Sequence, residues 1–107
     1  MDFETARRVY NQIETTKSVR SKRQMLTLAV RYARVRTDWH LASPDERREM
    51  DRHRSQAHDA LIDACNILSR HMAEAGEDNS WRAALEERKD IGDFACYIHC
   101  FLGLGAR

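Results

Sequence analysis

The sequence predicts an all-α fold, a small bundle of about four antiparallel helices, and three observations lead to it. The chain of 107 residues contains one Pro and four Gly, so residues that interrupt helices are scarce. Apolar residues recur at spacings of three and four along most of the chain. A chain of this length forms one core, so we expect a single domain over residues 1–107 in which each helix buries its apolar side against another.

Two helices are predicted before residue 43. Apolar positions at helical spacing mark the first helix at Phe3, Ala6, Val9 or Tyr10, and Ile13. Similar positions mark the second at Met25, Leu28 or Ala29, Tyr32, Val35 and Trp39, with an end near Leu41. The segment between them, residues 15–24, has one apolar residue, Val19, and is either a loop or a solvated helical extension.

A long third helix, about 44–75, is predicted by its start and stop signals. Ser43 is an N-cap residue, Pro44 suits the first helical position, and Glu46 completes a capping box. Gly76 suits the position that follows a helix. An apolar stripe in the second half consists of Ala57, Leu61, Ala64, Cys65, Leu68 and Met72. The first half has one large apolar residue, Met50, so we expect it to project, to lie on the surface or to contact a partner.

A last helix is predicted from Trp81 to Leu102, after turn residues at 77–80, and Gly103 and Gly105 end it. Between Ile91 and Leu104 its one charged residue is Asp93, so apolar side chains point in nearly every direction. Burial on two sides indicates a homodimer through this C-terminal helix, with Gly92 allowing two backbones to approach closely. The alternative is that the first three helices cover it completely.

The net charge of +1 is a cancellation between two parts of the chain. Residues 1–37 have nine basic and three acidic side chains, a net +6, whereas residues 38–107 have nine basic and fourteen acidic ones, a net −5. We predict that the basic segment contacts an acidic protein or the phosphates of nucleic acid. The predicted contact residues are Lys17, Arg20, Lys22, Arg23, Arg31 and Arg34.

A second interpretation of this basic segment needs no external partner. The same cations can pair with carboxylates of the acidic part of this chain or of a dimer mate. The carboxylates that this interpretation names are Asp45, Glu46, Glu49 and Asp51.

A possible metal site lies in the last helix. Cys96, His99 and Cys100 fall within about a third of the helix circumference and are soft-metal ligands, with Cys65 as a possible fourth. The sequence has no second ligand pair of the zinc-finger kind, and cysteine is often buried simply as a small apolar residue. We therefore favour packing and predict no cofactor.

The dipeptide His58-Asp59 resembles the core of the metal-binding signature of HD-type phosphohydrolases. That resemblance implies a metal-dependent hydrolase in which His40 and either Asp90 or Asp93 complete the ligand set. A second interpretation is that His58, on the apolar side of the long helix, is a core histidine with a satisfied ring.

Two carboxylate pairs, Glu46-x-x-Glu49 and Glu87-x-x-Asp90, look like the acidic motifs of the all-α MazG-type nucleotide pyrophosphatases. That resemblance implies Mg²⁺ binding and cleavage of nucleoside triphosphates in a helical bundle. Neighbouring Arg and Lys residues also allow a simpler interpretation, a solvated helix face with local ion pairs.

The sequence thus favours a non-catalytic helical interaction protein that self-associates and presents a basic N-terminal third. The alternative function is a metal-dependent phosphohydrolase or nucleotide pyrophosphatase. We expect a soluble, cytoplasmic protein, since no apolar run approaches about 20 residues and the N-terminus lacks a signal-peptide pattern. Three cysteines, an odd number, fit a reducing compartment.

Overall fold

A computed structural model describes residues 1–103 and confirms the all-α fold. Its four α-helices are α1 (Phe3–Glu14), α2 (Val19–Leu41), α3 (Pro44–Glu74) and α4 (Arg88–Cys96). A 3-10 helix, Ser80–Leu85, precedes α4, and a π-helical turn, Tyr97–Phe101, continues it. No β-strand occurs within residues 1–103.

Helices α2 and α3 form an antiparallel hairpin that is the main body of the molecule. The 31 residues of α3 span about 46 Å at 1.5 Å per residue, which matches the long dimension of 47 Å. Residues 15–24, for which the sequence allows either a loop or a helical extension, form a loop at 15–18 and then the start of α2 from Val19. Helix α4 packs on α2, while α1 lies against the 3-10 helix and the π-helical turn.

The ends of α3 follow the signals in the sequence. The Ser43 hydroxyl accepts from the Glu46 backbone N–H at 3.3 Å, and the Ser43 N–H donates to the Glu46 carboxylate at 3.0 Å, so the predicted capping box is present. At the other end Gly76 adopts φ +74°, and the Glu77 N–H donates to the Met72 carbonyl at 2.8 Å. This backbone arrangement is a Schellman motif, which closes a helix at a residue that favours glycine.

One core connects all the helices. The predicted stripe on α3, from Ala57 to Met72, is buried throughout. Side chains that are at most 2% exposed come from every element and include Ile13, Met25, Tyr32, Leu61, Leu68, Trp81, Leu85, Ile91, Phe94 and Ile98. The core therefore fixes which side of each helix faces solvent.

The last predicted helix is broken, which corrects the expectation of a continuous helix from residue 81 to 102. Trp81 and Leu85 are both buried in the 3-10 helix, and Arg82 Nη1 donates to the Leu85 carbonyl at 2.9 Å where that helix ends. Glu87 then takes extended backbone angles, φ −83° and ψ 148°, before α4 begins. Gly103, which is predicted to end the last helix, adopts φ +66° after the π-helical turn. Leu104 and Gly105 lie outside the described residues.

Most apolar side chains of α4 are covered by this chain's own helices. Ile91 and Phe94 of α4 and Ile98 of the π-helical turn are at most 1% exposed. One protomer therefore buries most of the apolar surface that suggested a dimer. Gly92 does not face an open surface: a Cβ atom there would lie 2.7 Å from the guanidinium carbon of Arg36. The interpretation of Gly92 as a site of backbone approach between two chains is therefore wrong, because a side chain of the same chain occupies that space.

The first half of α3 lies on the surface along the C-terminal part of α2. Arg47 and Arg54 stack on the Trp39 ring, with guanidinium carbons 4.6 and 4.1 Å from the ring centroid. Trp39 Nε1 also donates to Asp51 at 2.8 Å. Through these contacts the first half of α3 packs on α2 of the same chain.

None of the helices within residues 1–103 combines the length and the apolar character needed to cross a membrane.

Candidate nucleic-acid interface

The outward side of α2 carries a row of arginines. Arg20, Arg23, Arg31 and Arg34 are all exposed and are called the arginine face below. At 100° per residue they fall within about 80° of one another, and they extend over about 21 Å of helix. The buried residues Met25, Ala29 and Tyr32 lie on the opposite side of α2. The arginine face is thus directed away from the core.

Polar contacts between α2 and α3 hold this orientation. Near the start of α2, the Ser21 hydroxyl and His71 Nδ1 are 2.5 Å apart. Further along, the rings of Tyr32 and His58 meet edge to face with centroids 5.5 Å apart. Rotation of α2 about its axis would break both contacts and expose the apolar side, so the direction of the arginine face follows from the packing.

Three members of the arginine face are unpaired with carboxylates in the part of the chain that the structure describes. Arg20, Arg23 and Arg31 make no ion pair within residues 1–103. A shallow groove of about 430 Å³ lies beside the first two and is lined by Arg20, Arg23, Gln24, Thr27 and Leu28. The face therefore presents guanidinium groups together with the hydroxyl of Thr27 and the amide of Gln24, all of which donate hydrogen bonds.

The two predicted lysines lie apart from the arginine face. Lys22 Nζ donates to the Glu14 carbonyl at 2.8 Å, which ties α2 to the end of α1. The exposed Lys17 lies in the loop before α2, and its backbone N–H donates to Glu77 at 2.9 Å. Of the six predicted contact residues, the structure thus aligns four arginines on one side of a helix and places two lysines at the preceding loop and first turn.

Within the chain, the carboxylates proposed to neutralise the basic segment have other neighbours. Asp45 pairs with Arg48 at 2.8 Å, Asp51 accepts from Trp39, and Glu46 closes the capping box. Glu49 is exposed and makes no ion pair within the described residues. The contacts described within residues 1–103 thus join Asp45, Asp51 and Glu46 to residues near the α2–α3 connection, and pairing of the four carboxylates with the basic segment stays a prediction. One cation of that segment, Arg36, lies 3.8 Å from Asp93, a carboxylate of the acidic part of the chain.

The two residues of the phosphohydrolase-like dipeptide lie side by side at the surface of α3. His58 Nδ1 lies 3.2 Å from an Asp59 carboxylate oxygen, and Asp59 is exposed. The His58 side chain is 14% exposed, and its Nε2 has no hydrogen-bond partner within residues 1–103. His40, the proposed upstream ligand, is exposed at the end of α2, where its ring contacts Trp39.

The carboxylates proposed to complete that ligand set are occupied elsewhere. The Met1 α-amino group donates to Asp93 at 2.9 Å and lies 3.6 Å from Asp90. The hydrogen bond to Asp93 raises the pKa of this amino group. Glu87, the first residue of the second carboxylate pair, is exposed before α4. Among residues 1–103, no three His, Cys, Asp or Glu side chains are grouped so that they could hold a metal ion.

The cysteines of the possible metal site are only partly brought together. Cys96 Sγ and Cys100 Sγ are 3.7 Å apart on α4 and the π-helical turn, and His99 is half-buried. Cys65, the proposed fourth ligand, is completely buried in the core, and burial raises its pKa to about 11. The high pKa reflects an apolar environment that disfavours the thiolate, which is the form that binds metal.

An aromatic cluster, formed by Phe3, Tyr97 and Phe101, was not predicted from the sequence. Phe3 meets both other rings edge to face, with centroids 5.3 and 5.2 Å apart. Phe3 is 49% and Phe101 is 67% exposed, and the cluster borders a cleft of about 340 Å³ that Arg36 and Cys96 also line. The cluster joins the two ends of the sequence, so the spacing within either end gives no sign of it.

A second unpredicted contact fixes the loop before α2. The Glu77 carboxylate accepts from the Thr16 hydroxyl at 2.5 Å and from the Lys17 N–H at 2.9 Å. These hydrogen bonds lower the pKa of Glu77, the one from Thr16 most. Glu77 thereby connects the segment that follows α3 to the loop that leads into the arginine face.

Comparisons of the chain with family models, curated proteins and solved structures gave no match.

Proposed function

We propose that this chain is a non-catalytic helical binding protein whose arginine face binds the phosphate backbone of nucleic acid. The observation that carries the proposal is the row of exposed guanidinium groups on the side of α2 opposite the core, of which Arg20, Arg23 and Arg31 make no ion pair with any residue of 1–103. Guanidinium groups donate paired hydrogen bonds that match phosphate oxygens, and each contact releases a condensed counterion.

The length of the row supports a backbone contact. One strand of duplex DNA carries a charge about every 3.4 Å along the axis, so about 21 Å of helix passes roughly six phosphates. Four arginines, with the Thr27 hydroxyl and the Gln24 amide between them, can contact several phosphates at once. Such contacts position a protein on nucleic acid without selecting a sequence.

An acidic protein is a weaker candidate for the same surface. Stable protein interfaces are centred on buried aromatic or apolar anchors with charged residues at the rim. Large exposed apolar side chains within residues 1–103 are Phe3, Val19, Leu41 and Phe101, and only Val19 adjoins the arginine face. The face thus has charge without the apolar centre that a protein partner would need.

The test measures binding of a short labelled DNA duplex by fluorescence anisotropy at about 50 mM salt and upwards. We expect a dissociation constant of roughly 10⁻⁴ to 10⁻⁶ M at physiological salt that is nearly the same for unrelated sequences. Replacing Arg20, Arg23 and Arg31 together by Gln should weaken binding at least tenfold and lower the salt slope by about one for each arginine lost.

The matched control replaces Arg52, Arg70 and Arg88 by Gln. These arginines are exposed on α3 and α4, so the control removes the same three charges from another surface. It should retain most of the affinity. No binding at low salt, an equal loss in both triple variants, or equally tight binding of poly-L-glutamate would each contradict the proposal.

Self-association is a separate proposal, and the exposed rings of Phe3 and Phe101 favour it. Apolar surface that remains exposed beside a cleft is typical of a contact surface. The rest of α4 is covered within the protomer, so a dimer would form through this aromatic cluster rather than through the whole C-terminal helix.

A further inference from the structure

Two of the three cysteines form a solvent-accessible pair. Cys96 Sγ and Cys100 Sγ are 3.7 Å apart, with Cys96 half-buried and Cys100 exposed. The third cysteine, Cys65, is completely buried in the core. A reagent in solution can therefore reach the pair but not Cys65.

The backbone brings the pair within the range of a disulfide. Cys96 is the last residue of α4, and Cys100 lies in the π-helical turn, where the Leu102 N–H donates to the Tyr97 carbonyl five residues back. Residues four apart in an α-helix rise about 6 Å along the axis, and a wider turn rises less. Disulfides accept Cα separations of roughly 4.4 to 6.8 Å, so this helical spacing is compatible with a disulfide, and closure brings the two sulfurs from 3.7 Å to about 2.05 Å apart.

We propose that Cys96 and Cys100 are a dithiol modification site that closes to an intramolecular disulfide by exchange with a low-molecular-weight disulfide such as glutathione disulfide. The inference is independent of the arginine face. It rests on the distance between the two sulfurs, on their access to solvent and on the exclusion of Cys65.

The reaction has two exchange steps. The Cys100 thiolate attacks one sulfur of glutathione disulfide, a mixed disulfide forms, and one glutathione thiolate leaves. The Cys96 thiolate then attacks Cys100 Sγ and releases the second glutathione thiolate. The two protons that the cysteines lose are taken up by the two leaving thiolates, so one disulfide is reduced for each one formed.

Accessibility sets the order of the steps. Cys100 is the exposed sulfur and meets the reagent first. Burial raises the pKa of Cys96, and the hydrogen bond with Cys100 raises it further, so Cys96 is the poorer initial nucleophile. Once Cys100 carries glutathione, the target sulfur lies beside Cys96, and ring closure is intramolecular.

Closure would act on the aromatic cluster. Cys96 lines the cleft beside Phe3 and Tyr97, and Cys100 directly precedes Phe101. A bond between the two sulfurs would fix the turn that carries the exposed Phe101 ring.

The test incubates folded, reduced full-length protein with glutathione disulfide, stops exchange with acid and measures intact and peptide masses. We expect the wild type to lose the mass of two hydrogens and to gain no glutathione. The Cys96→Ser variant should instead accumulate one glutathione on Cys100, because the second exchange step is blocked. The Cys100→Ser variant should react more slowly than either, and Cys65 should stay reduced in all three.

Several results would overturn the inference. One is a stable glutathione adduct on Cys100 in the wild type, which would mean that Cys96 cannot reach it. A second is a disulfide that links two chains. A third is a wild-type protein in which Cys96 and Cys100 stay reduced, whatever the Cys96→Ser variant does. Modification of Cys65 at the rate of Cys100 would also overturn it, because the argument requires Cys65 to be protected in the folded protein.

Discussion

The guanidinium of Arg36 occupies the space that a side chain at Gly92 would need. A Cβ atom at position 92 would lie 2.7 Å from Cζ and from Nη1 of Arg36. The same guanidinium lies 3.8 Å from an Asp93 carboxylate oxygen. The glycine therefore allows an arginine of α2 to lie against α4, and the contact joins two helices of one chain.

We expect Gly92→Ala to change the free energy of unfolding by less than about 1 kcal/mol. The new methyl group displaces the end of a flexible side chain, and the half-exposed ion pair that it disturbs contributes about 0 to 1 kcal/mol. Alanine also gains about 0.8 to 1.0 kcal/mol of helix propensity over glycine. Urea unfolding measures the difference.

The control for this variant is the same substitution in an Arg36→Met background. There the guanidinium is absent, and Gly92→Ala should stabilise by up to about 1 kcal/mol. A loss of more than 2 kcal/mol in the Arg36→Met background would show that the crowding comes from another group.

Acid should destabilise the protein partly through Glu77. Hydrogen bonds from Thr16 and Lys17 lower its pKa in the folded state below the usual 4.5. Stability from a carboxyl group with a lowered pKa is present above the unfolded value and is lost as pH falls through the folded value. We expect the unfolding free energy to decrease below about pH 4.5, and to decrease less steeply in Glu77→Gln.

Urea titrations at several pH values measure this dependence, with Glu86→Gln as the control because Glu86 is exposed. Equal slopes for Glu77→Gln and the wild type would contradict the role given to Glu77. Glu86→Gln should follow the wild type.

Substitution of His58 distinguishes a packing role from a need for its ring nitrogens. His58→Phe keeps an aromatic ring against Tyr32 and removes the buried Nε2 that has no partner within the described residues. Such a buried polar atom costs about 1 to 3 kcal/mol, so His58→Phe should leave stability unchanged or raise it by about 1 kcal/mol. His58→Ala loses the ring contact and should destabilise by roughly 1 to 3 kcal/mol.

Thermal and urea unfolding compare the two variants. Greater destabilisation by Phe than by Ala would show that the imidazole nitrogens are required, and the packing interpretation of His58 would then be wrong.

Self-association is tested at the aromatic cluster. If two copies meet there, Phe101→Ser should abolish a dimer seen by light scattering across a concentration series, at a stability cost below about 1 kcal/mol because the ring is 67% exposed. Leu41→Ser, which removes another exposed apolar side chain outside the cluster, should leave the dimer intact. A monomeric wild type at all concentrations would refute self-association.

The helices with strong local signals were predictable. Ser43 and Gly76 fix the ends of α3 through hydrogen bonds that span no more than five residues, and Pro44 suits the first helical position, so the signals lie together in the sequence. The break before α4 was missed because Trp81 and Leu85 also fit helical spacing, and Arg82, which hydrogen-bonds the Leu85 carbonyl, looks like any helix residue.

The candidate sites were predictable in part. The arginine face follows from helical spacing once α2 is recognised. The contacts between Glu77 and Thr16, and between Phe3 and Phe101, join residues far apart in the chain, and only the tertiary fold brings them together. The role of Gly92 was misassigned for the same reason, since the sequence around it does not show that Arg36 occupies the space beside it.

Because Trp39 stacks with arginines at the surface, the two tryptophans of the protein are fluorophores in different environments. The chain has two tryptophans. Trp81 is 2% exposed, with its indole N–H directed to the Met72 sulfur at 3.3 Å, whereas Trp39 is half-buried and contacts two guanidinium groups. Emission from Trp81 should shift to longer wavelength only when the core opens, while emission from Trp39 reports separation of the α2–α3 hairpin at its connected end. Replacing either indole by Phe would therefore let one spectrum follow the hairpin and the core separately during unfolding.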